Sequence, residues 1–178
     1  AENIEIRMDE VVDVDVRRRL VITASGAELV YDHLILSTGS VYSYLGHEDW
    51  PRLAPGLKTI EDATEIRRKL LLAFERAEVE RDPAAQARFL TFVLVGGGPT
   101  GVEMAGAVAE LAKATLARDF RNIDPRAARI VLVEAGPRLL NSFPQHLADY
   151  ALDALTDMGV EVRLDTPIEH IDDEGVVA

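Results

Sequence analysis

Three glycines, Gly96, Gly98 and Gly101, follow the run Phe89-Leu-Thr-Phe-Val-Leu-Val and open a stretch of small residues. A short apolar, β-branched run, a glycine turn and then a helix form the setting in which G-x-G-x-x-G binds a dinucleotide. Gly96 would make the tight turn, Gly98 would let backbone approach a pyrophosphate, and Gly101 would let the helix pack close to its strand. Gly97 and Thr100 complete the loop. Pro99 suits the first helical position, where its missing N–H costs nothing. The helix N-terminus offers N–H donors and a positive dipole end to phosphate. The competing reading is a glycine-rich turn that binds nothing; the strand and helix on either side weigh against it.

A second group with chemistry lies at Glu134, which ends the apolar run Arg129-Ile-Val-Leu-Val. A carboxylate at the end of the second strand accepts hydrogen bonds from the adenosine ribose hydroxyls and repels a 2′-phosphate, which predicts NADH over NADPH. It falls 36 residues past Gly98, against the roughly 20 usual for this motif, so an insertion is expected at Ala114–Ala128. A surface Glu ending a strand is the alternative. Arg138 lies close enough to contact the adenosine phosphate side, or to tolerate NADPH. Glu103, placed in the first turn of the glycine helix, could simply complement the helix dipole.

These residues need a frame. Phe89–Val95, Arg129–Val133 and Val160–Leu164 read as buried strands, separated by the glycine helix and by a helix from Pro144 that carries Leu147, Ala151, Leu155 and Met158, with Gly159 as its C′ residue. Strand, helix, strand, helix, strand implies a parallel α/β sheet. Earlier, residues 3–16 alternate with period two through Ile4, Ile6, Met8, Val12, Val14 and Val16. With Leu20–Thr23 and Leu29–Tyr31 they predict an antiparallel meander, and Leu34–Ser37 a buried strand ending at Thr38-Gly39. Between the two regions a helix is expected from Asp62, capped by Asp62 with Glu65, with Ile66, Leu70, Phe74 and Ala77 as its apolar stripe, and ended by Asp82-Pro83.

Composition removes other classes. The net charge is −12 and argues against a nucleic-acid or anionic-membrane surface. No apolar run approaches the roughly 18 residues of a membrane span. There is no cysteine, hence no disulfide, thiolate metal site or redox C-x-x-C, and the four histidines lack ligand spacing, so no metal is expected. Ala1–Glu10 is polar and acidic, unlike a secretory leader, and the cytoplasm is the expected compartment.

The end of the chain echoes its start: Asn3–Asp9 aligns with Gly159–Asp165 at an offset of 156, with Glu, Arg and Asp identical. This suggests the tail of one dinucleotide fold joined to the head of the next. The chain resembles the two-dinucleotide-fold flavoprotein oxidoreductases, and within them the type II NADH dehydrogenases. The resemblance rests on Tyr31-Asp-His-Leu-Ile-Leu-Ser-Thr-Gly-Ser40, Leu57-Lys-Thr-Ile-Glu-Asp-Ala63, the Ile66–Glu78 segment, Gly96-Gly-Gly-Pro-Thr-Gly-Val-Glu103 and Glu134-Ala-Gly-Pro-Arg-Leu-Leu140.

The resemblance implies a Rossmann-like FAD/NAD(P)-binding fold, with residues 1–45 closing a FAD domain and residues 46–178 forming most of an NADH domain. Thr38-Gly39 would belong to the family's A-T-G turn beside the flavin, Ser37 replacing the usual Ala. Glu103 would face the nicotinamide and flavin rings and orient the cofactor or handle protons, a reading weighed evenly against the dipole role. NADH would pass a hydride to FAD, and reduced FAD would pass electrons to a quinone. This stretch alone, without the family's first glycine motif and C-terminal membrane-binding helices, would be inactive. The full-length protein would sit on the cytoplasmic membrane face, with a homodimer left open. The alternatives are the NAD(P)H domain of a ferredoxin-type or disulfide reductase, or a non-catalytic NAD-binding module.

Overall fold

Alternating apolar and polar residues produce three strands in the first part of the chain. In the computed structural model, which describes residues 3–39, 41–44 and 46–178, these are β1 (Val11–Asp15), β2 (Leu20–Thr23) and β3 (Glu28–Val30). Ala1, Glu2, Ser40 and Leu45 lie outside the described residues. They include the last residue of the Tyr31–Ser40 run and the expected end of the first domain. The strands form an antiparallel meander in the order β1-β2-β3, with Val14 opposite Val21 and Val21 opposite Leu29. Leu20, Val21 and Thr23 are its buried residues.

Two expected strands are absent. Residues 4–10 and 33–39 carry strand-like sequence but form no ladder; Met8 is 99% and Ile35 87% exposed. A strand exists only through a ladder of hydrogen bonds to a neighbour; the Ala24 N–H donates to the Glu10 carbonyl at 2.8 Å and the Ser25 hydroxyl to the Asp9 carboxylate, but among the described residues no ladder forms at either segment. The two copies of the repeat therefore differ: Asn3–Asp9 has no regular structure, whereas Val160–Arg163 of the second copy is a strand.

The chain divides into two compact units, residues 1–40 and 41–178. The second begins with a short helix α1 (Trp50–Leu53), then α2 (Ile60–Val79). The cap of α2 is Thr59, not Asp62. Thr59 accepts from the Asp62 N–H, and the Asp62 carboxylate accepts from the Thr59 N–H, a reciprocal capping box. Phe74 and Ala77 are buried as expected. α2 ends at Val79 with Glu80 as its C-cap, short of Asp82-Pro83, which instead starts α3 (Pro83–Phe89), a helix that the apolar look of Phe89-Leu90 concealed. Asp82 caps it by accepting from the Ala85 N–H.

The central strand is therefore β4 (Thr91–Val95), beginning two residues later than expected. Next come α4 (Pro99–Glu110), a π-helical turn at Leu111–Thr115, and a 3₁₀ turn at Pro125–Ala127. β5 (Arg129–Val133), α5 (Gln145–Asp157), β6 (Val160–Arg163) and a short hairpin, β7 (His170–Ile171) and β8 (Val176–Val177), complete the chain. β4, β5 and β6 form a parallel sheet in that order, with Val95 opposite Val133 and Val133 opposite Arg163. α4 and α5 touch each other beside it. The small side chains Ala105 and Ala109 of α4 are buried and let it lie close to the sheet, and Ala112 of the π-helical turn is buried too. On α5 the stripe is turned slightly: Leu147 is exposed and Ala148 buried, while Leu155 is buried as expected. Gly159 follows the last turn of α5 at φ 75°, the C′ position expected for it.

Candidate nucleotide-binding site

The carboxyl ends of β4 and β5 lie side by side, and the glycine turn leaves β4 there. Gly96 has φ 102°, a conformation few other residues adopt, and its N–H donates to the Val133 carbonyl at 2.8 Å. The turn is thus an extension of the sheet. Gly101 sits against it: a Cβ at Gly101 would overlap the Gly96 carbonyl oxygen. Gly97 is buried, and a Cβ there would lie 2.6 Å from Leu139 Cδ2. Gly98 differs. A Cβ there would meet nothing within 4 Å, and Gly98, Pro99 and Thr100 are all exposed. The inner two glycines allow close packing, and the outer one faces open space.

Gly98 is the N-cap of α4 and Pro99 its first residue. The first bond of the helix is Val102 N–H to the Gly98 carbonyl at 3.0 Å, so the N–H groups of Thr100 and Gly101 precede it. Together with the Gly98 N–H they form the donor end of the helix, suited to an anion. This geometry fits a pyrophosphate: bare backbone, an open face and a positive dipole end.

Glu134 follows β5 directly. Its Oε2 accepts the Gly97 N–H at 2.6 Å and its Oε1 accepts the Gly136 N–H at 2.7 Å. Its own backbone is pinned on both sides, N–H to the Arg163 carbonyl at 2.8 Å and carbonyl to the Thr166 N–H at 3.0 Å. The carboxylate is therefore held against the glycine turn, and each oxygen keeps a further lone pair for a hydroxyl. A 2′-phosphate brought to the same place would meet this fixed negative charge.

The other expected residues are distributed differently. The Arg138 guanidinium donates to the carbonyls of Asn141 at 2.6 Å and Phe143 at 3.0 Å in its own loop, and to Gln145 Oε1, at the start of α5, at 3.2 Å. Glu103 is exposed and is the fifth residue of α4, not part of its first turn. The dipole's effect fades beyond that turn, which weakens the purely helical explanation for this acid. Thr38 and Gly39 belong to the first unit, where both are exposed and Gly39 has φ 74°. The insertion before β5 is tied to α2: the Glu78 carboxylate accepts from the N–H groups of Arg121, Asn122 and Ile123. Burial alone would raise the Glu78 pKa, but these donors outweigh it and hold it below the ordinary value.

This combination, a glycine turn on a parallel sheet with an acid locked across it, agrees with the comparison to known proteins. The pyridine nucleotide-disulphide oxidoreductase family model matches residues 1–178. The chain belongs to that family. Two curated members, both from Mycobacterium tuberculosis, are the type II NADH:quinone oxidoreductases Ndh, 39% identical over 177 residues, and NdhA, 41% identical over 179. Each alignment covers 98% of this chain, which spans only 38% of the length of either relative. Among solved structures, NDH2 from Plasmodium falciparum in complex with NADH superposes with a TM-score of 0.73 at 25% identity, over 92% of this chain and 34% of that one.

In this member of the pyridine nucleotide-disulphide oxidoreductase family, three residues with no role read from the sequence complete the turn. Gly136 supplies the N–H that fixes Glu134, Leu139 is 1% exposed and backs Gly97, and Leu140 donates its N–H to the Gly97 carbonyl at 2.8 Å. Their signal was the glycine directly after the Glu-Ala pair and the paired leucines. Among the described residues no helix is long and apolar enough to cross a membrane.

Proposed function

We propose that this chain is the NADH-binding part of a flavin-dependent oxidoreductase in which a hydride passes from NADH to FAD and electrons then pass to a quinone. The observation that carries the reading is the pairing of an open, donor-rich Gly98–Gly101 turn with the carboxylate of Glu134 bonded across to Gly97. The names of the Mycobacterium tuberculosis relatives, NADH:quinone oxidoreductases, support the reaction class, and the NADH complex of the Plasmodium falciparum neighbour supports the cofactor.

In this reading Gly96 shapes the turn, Gly97 and Gly101 let it pack, and the N–H groups at Gly98, Thr100 and Gly101 hold the pyrophosphate at the start of α4, with Pro99 fixing the entry. Glu134 holds the adenosine ribose hydroxyls and disfavours NADPH. Glu103 is one turn further along α4 on the same face as Pro99, and it orients the nicotinamide end or holds a proton there. Residues 1–45 would close a flavin domain, with Thr38 and Gly39 beside the nucleotide, and residues 46–178 would form the NADH domain. Bound NADH supplies the hydride; the contribution of this chain is binding, orientation and electrostatics. The proposal extends to a full-length protein lying peripherally on the cytoplasmic face of a membrane.

The test is titration of the purified chain with NADH and separately with NADPH, followed by nicotinamide fluorescence, with circular dichroism as a fold control. NADH should bind at least about tenfold more tightly than NADPH. Gly98→Val should abolish binding and Glu134→Ala should weaken it by about tenfold, both with unchanged circular dichroism. Equal affinities for the two nucleotides, or full binding by Gly98→Val, would refute the assignment.

A further inference from the structure

Arg138 is the cation nearest in sequence to the acid of the site, and its side chain does something other than wait for a phosphate. We propose that Arg138 is a positioning residue for the phosphate-binding turn, acting through the Leu139–Phe143 segment that backs Gly97 and making no contact with the cofactor. The proposal rests on the NADH reading above.

A trans peptide is planar, so its carbonyl and the following N–H point in opposite directions. The Gly97 carbonyl accepts the Leu140 N–H at 2.8 Å. The Gly98 N–H, on the other side of the same peptide, is therefore turned away from Leu140. Leu140 thus decides where one pyrophosphate donor points. Leu140 itself is held in the left-handed region at φ 49°, an unfavourable conformation for a leucine that persists only where its surroundings impose it.

Arg138 imposes it. Its fork closes the segment by donating to the carbonyls of Asn141 and Phe143, and the Phe143 N–H returns to the Leu140 carbonyl at 2.8 Å. The same guanidinium reaches Gln145 Oε1, while Gln145 Nε2 donates to Asp149 Oδ1 at 2.7 Å, which ties the loop to the first turn of α5. All three acceptors of Arg138 are neutral oxygens. What it contributes is a planar, multi-donor fork, which lysine lacks. A charge acting directly on a phosphate would survive replacement by lysine; a fork acting on a loop would not.

The experiment follows from that difference. Wild type, Arg138→Lys and Arg138→Ala are compared in the full 178-residue chain by NADH titration and thermal unfolding, and by hydrogen exchange of the Leu140 amide without nucleotide. Both variants should bind NADH about tenfold more weakly and exchange the Leu140 amide at least about tenfold faster. Near-wild-type affinity in Arg138→Lys with a loss in Arg138→Ala would overturn the proposal in favour of a direct charge contact. Unchanged affinity in both, with only a lower Tm, would overturn it in favour of a merely stabilising loop. If wild type itself fails to bind NADH, the functional reading falls, and the exchange data alone decide whether Arg138 holds Leu140. Should both Arg138 variants fail to fold, Gln145→Ala takes their place: faster Leu140 exchange supports the loop, and unchanged exchange overturns it.

Discussion

At the scale of single residues, the glycines of the turn carry different burdens, and a methyl group separates them. Gly101 touches the Gly96 carbonyl, a backbone atom that cannot swing aside, whereas Gly98 faces open space at an ordinary φ of −74°. Gly101→Ala should destabilise the chain by about 2 kcal/mol or more, lowering Tm by roughly 5 °C. Gly98→Ala should leave Tm within about 1 °C while weakening NADH, because the new methyl projects only toward the ligand side. Scanning calorimetry of the two variants with and without NADH checks the contrast; equal losses of Tm would mean the turn is merely structural. The tight turn at Gly96 and the close approach at Gly101 were legible because residue type and spacing encode backbone geometry. The bonds of Glu134 to Gly97 and Gly136 were not, because nothing in a sequence says which way a carboxylate at a strand end will turn. Arg138 shows the same limit: its nearness to Glu134 in sequence suggested a ligand contact, and its hydrogen bonds run along its own loop to the start of α5.

At the scale of elements, the start of α2 shows how a correct helix can carry a misplaced cap. Asp62 with Glu65 satisfies the capping pattern, but so does Thr59 with Asp62, and the second pair is adopted. What decides it lies 20 residues away: the Asp62 carboxylate also accepts the Tyr42 hydroxyl, along with the N–H groups of Lys58 and Thr59. The Tyr42 bond, then the two backbone donors, hold the Asp62 pKa down to about 2. Burial and the neighbouring carboxylate push the Tyr42 hydroxyl up to about 12, so it stays a donor throughout the accessible range. Since the folded pKa of Asp62 is depressed, its contribution to stability is present above the unfolded value of roughly 4 and is lost as pH falls toward about 2. Asp62→Asn should therefore have a lower Tm than wild type at pH 7, and the difference should shrink between roughly pH 4 and pH 2. Thermal unfolding of both proteins across that range is the measurement; a gap independent of pH would show that the carboxylate's charge does not hold the cap.

At the scale of the whole molecule, strand sequences became strands only where a neighbour was present. Val160–Arg163 pairs with β5, while the similar Asn3–Asp9, and Leu34–Ser37 with it, form no ladder. Periodicity reports which face of a strand is apolar, and pairing is a property of the surrounding sheet. The same distinction separates the stability of the two units. The main hydrophobic cluster runs from Phe74 through Ala105, Ala109, Ile130, Leu132 and Leu139 to Val160, all within residues 41–178. The meander of residues 1–40 buries Leu20, Val21 and Thr23, too little apolar surface to offset the ordering of its three short strands unaided. Every residue that shapes the glycine turn, from Gly96 to Leu140, belongs to the second unit. Residues 41–178 expressed alone should consequently fold cooperatively and bind NADH within about twofold of the full chain, whereas residues 1–40 alone should show no cooperative unfolding transition. Calorimetry and NADH titration of the two pieces decide this. A second unit that folds but binds NADH more than about tenfold more weakly would mean that residues 1–40 take part in the nucleotide site, and the assignment of that site to the Gly96–Leu140 frame would have to be enlarged.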